Sequence, residues 1–192
     1  MRKIKNFRIN LRIKEILSII KKLVNVVELS VELEEEARQC YCFYSKFLVP
    51  SVVYETFSKE MLPFVYEKDV PSKWLAESVF FVTIGDNLCE KYEKDEETFG
   101  EHTGKIISAV AVDALEQSKN FIQRLISNEA QGENCEISRS IDIPPRLYET
   151  AAGCVPADKI AISAKDGKLN PRYSECGLFY WIPSKKKQKS RS

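Results

Sequence analysis

The sequence predicts an α+β fold: a single domain with a twisted, largely antiparallel sheet and flanking helices. Three observations carry this. Residues 79–84, Val-Phe-Phe-Val-Thr-Ile, run without polar alternation into Gly85-Asp86, the pattern of a central strand covered on both faces and closed by a turn. A long helix follows from about residue 103 to 126, with Ile107, Val110, Ala111, Ala114, Ser118, Phe121 and Leu125 along one stripe. The small members of that stripe let a helix sit close to a sheet. The last quarter returns to strands and ends in a second apolar run at 177–182. Strands joined by hairpins, with helices clustered between them, argue against a doubly wound parallel sheet.

The remaining elements follow in order. Phe7, Ile9 and Leu11 alternate with Asn6, Arg8 and Asn10, as in a half-buried strand. Ile13, Ile16, Leu17, Ile20 and Leu23 then take helical spacing, with basic residues opposite. Ser30 is placed to cap a second helix. Glu32, Glu34, Glu35 and Glu36 fall in its first turns, where the helix dipole favours carboxylates, and a solvated helix start explains them better than a docking patch. Pro50 opens a strand through Val52, Val53, Tyr54 and Phe57, and Pro71-Ser72 precedes a short helical segment with Trp74 and Leu75. Residues 90–101 read as a charged surface connection, and Gln131-Gly132-Glu133-Asn134 ends the long helix. Ile160 and Ile162 flank a short apolar run, and Lys165-Asp166-Gly167-Lys168 is a tight-turn signal. The folded domain is expected to span 1–183, with 184–192 a disordered basic tail.

Composition excludes several classes. The chain has 192 residues, enough for one domain with a proper core. A net charge of +1 excludes a globally basic nucleic-acid binder. No apolar run approaches the roughly 18 residues that span a bilayer, and the first residues lack the apolar core of a secretory signal, so a cytoplasmic protein is expected. Six cysteines at irregular spacing and a single histidine argue for free thiols packed as small hydrophobes, with no disulfide framework and no metal site.

No conventional catalytic apparatus is visible. Gly100-Glu-His-Thr-Gly104-Lys105 fails the spacing of a phosphate loop and lacks the hydroxyl residue after its lysine. His102 has no nucleophile or orienting carboxylate beside it in sequence, so it reads as an exposed loop residue. Asp113 lies among Val110, Ala111, Val112, Ala114 and Leu115, where an unpaired carboxylate is expensive to bury. Either it points out past the stripe or it has a partner, and Gln117, one turn on, meets whatever Asp113 meets. Tyr173, Tyr180 and Trp181 at the entry to the last strand are either core or the lining of a pocket.

Two segments, taken together, resemble a known family. One is the strand at 79–84 followed by Lys105-Ile-Ile-Ser-Ala-Val-Ala-Val-Asp113-Ala-Leu-Glu116-Gln117. The other is Leu169-Asn-Pro171-Arg-Tyr173-Ser174-Glu-Cys-Gly177-Leu-Phe-Tyr-Trp181, a Pro-x-x-Ser-x-x-Gly signature running into a strand. In this order they resemble the activation domain of cobalamin-dependent methionine synthase, and more closely its stand-alone relatives, over nearly the whole chain. The resemblance implies presentation of S-adenosylmethionine to cob(II)alamin for reductive methylation. The partners it implies are a separate cobalamin-binding methionine synthase chain and a flavodoxin-like electron donor, with no nucleic acid and no membrane. It implies an accessory component without its own acid, base or nucleophile. Ligand contacts are expected from Arg139, Asp113, Glu116, Gln117, Tyr173, Ser174 and Gly177.

The chain departs from the family pattern in two places. An acidic ligand-facing position of the family aligns with Gln117, with Glu116 beside it. The family's arginine is followed a few residues on by Gly-Tyr, whereas here Arg139-Ser140-Ile-Asp142-Ile-Pro144-Pro145-Arg146-Leu-Tyr148 keeps an arginine without that pair. Two prolines there remove two backbone donors, with Arg146 and Tyr148 either displaced substitutes or surface residues. These departures keep open a second function: a non-catalytic interaction module that caps a corrinoid protein and carries a degenerate S-adenosylmethionine site.

Overall fold

A computed structural model describes residues 1–61, 70–94 and 100–184. The tail from residue 185 on and part of the charged connection, 95–99, lie outside the described residues. The first half contains β1 (Arg2–Lys5), α1 (Ile13–Val24), α2 (Val31–Tyr44), β2 (Ser51–Ser58), β3 (Ala76–Thr83) and α3 (Asn87–Lys94). Next come α4 (Thr103–Gly132), β4 (Cys135–Ile137), β5 (Ile141–Asp142) and α5 (Tyr148–Cys154). The hairpin β6 (Ser163–Lys165) and β7 (Lys168–Asn170) leads into β8 (Ser174–Pro183). Among the described residues no helix is long and apolar enough to cross a membrane.

The main sheet runs β1-β2-β3-β8-β4, with β5 also on β8, and every pairing among its described strands is antiparallel. Both apolar runs are therefore central: β3 lies between β2 and β8, and β8 between β3 and the β4–β5 edge. One face buries Val52, Phe80, Val82, Phe179 and Trp181 under α1, α2 and α4. The other buries Val53, Val79, Phe81, Leu178 and Tyr180 under Ile143, Ala151, Val155, Ile160 and Ile162. Two covered faces are the physical reason that β3 lacks polar alternation.

The long helix extends six residues beyond 126, to Gly132. Ile122, Ile126 and Ala130 continue its buried stripe, while Phe121 lies on the flank and stacks on Phe7 at 4.1 Å. Ser30 caps α2 as expected, accepting from the Leu33 amide at 3.2 Å. Asp166 and Gly167 both have positive φ, 51° and 70°, which makes the β6–β7 connection a type I′ hairpin turn.

Three expectations are corrected. The first strand is Arg2–Lys5, ahead of residues 7–11. Asn6 at φ 53° turns the chain out of the ladder, and Phe7, Ile9 and Leu11 pack against the helical core without pairing. Residues 71–75 form bends and no helix. Leu75 prolongs the β3 ladder instead, its amide donating to the Trp181 carbonyl at 2.9 Å and its carbonyl accepting from the Lys59 amide at 2.9 Å. Finally, the charged connection begins with the helix α3, anchored by buried Leu88.

Candidate functional site

Asp113 has a partner, and it lies 101 residues away. Its side chain is fully buried, and its two oxygens accept three hydrogen bonds from Arg12: the backbone amide at 2.8 Å, Nε at 3.0 Å and Nη2 at 2.7 Å. Gln117, with its amide oxygen turned to Arg12, accepts from Nε at 2.6 Å and Nη2 at 3.0 Å. Arg12 is the residue that opens α1, so this cluster fastens the start of α1 to the middle of α4. Glu116, exposed on the same helix, contributes negative charge to both Arg12 and Lys119.

Arg139 is exposed at the sheet edge. Ile137 pairs with Trp181 and Ile141 with Leu178, so three residues of the edge strand oppose two of β8, a bulge at 138–140. The Ser138 hydroxyl holds it, accepting from the Tyr180 amide at 3.0 Å and donating to the Arg139 carbonyl at 2.8 Å. Arg139 thus lies beside residues 179–180 of β8, about 20 Å from Tyr173 at a rise of about 3.3 Å per strand residue. Beyond it, Pro145 opens a single 3-10 turn into α5, Arg146 is exposed and Tyr148 is half-buried.

At the other end of β8 the residues divide again. Gly177 is opposite Phe80, and a Cβ there would lie 2.6 Å from the Phe80 Cζ and 3.1 Å from the Ile141 carbonyl oxygen. The space at Gly177 is filled by core. Tyr180 and Trp181 are core as well, with the Trp181 indole donating to the Ser78 hydroxyl at 2.8 Å. The Ser174 hydroxyl donates to Thr83 Oγ1 at 2.9 Å. Tyr173 is half-buried and its hydroxyl donates to Ser108 Oγ of α4 at 3.3 Å. The expected contact residues therefore fall in three places: the Arg12 cluster, the bulged edge and the start of β8.

Sequence reasoning missed two charged features here. Lys119 on α4 donates to Glu175 at 2.6 Å and lies 3.7 Å from Asp142. Burial works to lower its pKa, but Glu175, Asp142 and Glu116 outweigh that and hold it raised. The second feature is a cleft of about 350 Å³ between α3, α4 and the residues before β8. Asp86, Glu93, Ser108, Arg172 and Tyr173 line it, and the Arg172 guanidinium sits 5.6 Å above the Tyr173 ring. The signal was present, since Arg172 and Tyr173 stand inside the Pro-x-x-Ser segment, but only the fold brings Asp86 and Glu93 to them.

No family model matches the chain, and no curated protein matches it. Among solved structures, the chain is similar to a crystal structure of the MetH reactivation domain bound to AdoHcy. The two align with a TM-score of 0.52 at 12% identity, covering 97% of this chain and 80% of that one. At this identity the likeness shows the fold: an antiparallel sheet with flanking helices, like that of the methionine synthase activation domain.

Proposed function

We propose that this chain is a stand-alone reactivation component of cobalamin-dependent methionine synthase, presenting S-adenosylmethionine to the cob(II)alamin of a partner chain. The observation that carries this reading is the correspondence over 97% of the chain with a reactivation domain crystallised with AdoHcy, the demethylated form of that donor. Cobalamin held by the partner would supply the reactive metal, and an electron from a flavodoxin-like donor would let it take the methyl group of the sulfonium, leaving S-adenosylhomocysteine. The task of this chain is to hold the donor in line and exclude water, which needs no acid, base or nucleophile. Tyr173 and Ser174 at the start of β8, with Glu116 exposed on α4, are the side chains we assign to the donor-binding surface, and Arg139 to its far edge.

A second reading, an interaction module with a degenerate ligand site, is favoured by one observation: Asp113 and Gln117 are committed to Arg12. Calorimetric titration with S-adenosylmethionine, with and without a cobalamin-binding methionine synthase chain, separates the two. The reactivation reading expects weak binding by the chain alone and tighter binding in the complex, because closure excludes water and strengthens each polar contact. Complex formation with no S-adenosylmethionine binding in either state establishes the interaction module. If binding occurs and Arg139→Ala leaves it unchanged, Arg139 has no part in the site.

A further inference from the structure

We propose that the cleft between α3, α4 and the start of β8 is a binding site for a zwitterionic ligand, an α-amino acid either free or as the end of a larger molecule. At about 350 Å³ the cleft is at the small end of the range for ligand pockets. Its lining carries both signs of charge: Arg172 from the loop before β8, and Asp86 and Glu93 from the α3 side. Among the described residues no ion pair joins Arg172 to either carboxylate. All three charges act on the Cys89 thiol in the same cleft. Burial and then Asp86 push it up, Arg172 pulls it down, and Glu93 adds to the rise.

The Tyr173 hydroxyl is tied to Ser108 of α4 at 3.3 Å, and the Arg172 guanidinium lies over the ring so fixed, leaving its edge free for a carboxylate fork. Gly104 completes the side wall, because a Cβ there would lie 2.8 Å from the Tyr92 hydroxyl. A simple anion would meet two carboxylates and a simple cation would meet the guanidinium. A ligand with a carboxylate and an ammonium a few bonds apart satisfies both walls at once. With its thiol held protonated, Cys89 supplies no nucleophile, and the site is one of binding.

The site shares Tyr173 with the surface proposed for S-adenosylmethionine, but an amino acid alone satisfies its charges, so it does not depend on that reading. The test is titration of the full chain with L-methionine, S-adenosylhomocysteine and 5′-methylthioadenosine, which lacks the amino-acid end. Arg172→Ala is expected to weaken L-methionine or S-adenosylhomocysteine by about tenfold to a hundredfold, the loss of one charge-assisted contact. Arg172→Lys should lose less, since it keeps the charge without the fork. Arg172 is exposed, so the melting temperature of its variants should match the parent. Binding of L-methionine identifies a free amino acid as the occupant, and binding of S-adenosylhomocysteine alone identifies the end of a nucleoside. If the parent binds neither, if Arg172→Ala binds both as well as the parent, or if it loses 5′-methylthioadenosine by the same factor, the proposal is overturned. The reactivation reading fails separately, when S-adenosylmethionine does not bind in the complex although L-methionine still binds through Arg172.

Discussion

Gly177 of β8 and Phe80 of β3 face each other in the central ladder, and the Phe80 ring occupies the volume that a side chain at 177 would take. The ring is itself fixed, stacked on Phe179 at 5.2 Å with both rings about 1% exposed. The Pro-x-x-Ser-x-x-Gly segment therefore ends in a glycine needed by the core. Gly177→Ala should destabilise the domain by about 1–3 kcal/mol, the usual cost of forcing an extra carbon into a filled interior. Denaturant unfolding measures this, and an unchanged midpoint with weakened ligand binding would instead make Gly177 a ligand contact.

The Arg12–Asp113 cluster predicts an asymmetry. Asp113 is fully buried while the Arg12 side chain is 46% exposed. Removing the guanidinium strands a buried carboxylate, whereas removing the carboxylate leaves an arginine that rehydrates. Arg12→Ala should therefore lower the melting temperature more than Asp113→Asn, and the double variant should fall less than the sum of the two. Additive effects would show that the two side chains are not coupled.

How much the sequence disclosed follows from the range of the interactions. Elements set by local chemistry were legible: the Ser30 cap, the Asp166-Gly167 turn, the small-residue stripe of α4 and the apolar runs of β3 and β8. Where the outcome depended on a distant backbone, reading failed. Leu75 joins the ladder because Lys59 and Trp181 bond it from either side, and no local pattern at Pro71-Ser72 encodes that. The candidate site was the least legible part, because its geometry is entirely tertiary. Asp113 asked for a partner, but Arg12 is 101 positions away and no local pattern links the two. Arg139 matched a motif by type, and it stands in the bulge at 138–140 on the edge strand.

The cysteines allow a chemical check. All six are free thiols, with Cys42 exposed and Cys40, Cys135 and Cys176 buried. Burial holds the Cys40 thiol up at about 11 and Cys176 higher still. A thiol reagent at neutral pH should modify Cys42 fastest, with the three buried thiols reacting only on unfolding. Reductant should leave the melting temperature unchanged, and a large drop would reveal a disulfide the fold depends on.

Glu77 makes stability depend on pH in an unusual direction. It is 2% exposed on the α5-covered face of β3, and its Oε1 has no hydrogen-bond partner. Burial pushes its carboxyl up to about 7. A folded-state pKa above the unfolded one means that the native state holds the proton more tightly. The domain gains from this below the ordinary carboxylate range and loses the gain as pH rises towards 7, by about 1.4 kcal/mol per pH unit. Above that the native state carries a buried anion. Glu77→Gln keeps the shape and removes the titration, so its stability should stay flat from pH 5 to 8 while the parent falls. Above pH 7 the variant should be the more stable of the two. Denaturant midpoints at half-unit pH steps measure both curves, and parallel curves would show that Glu77 is ionised in the native state throughout.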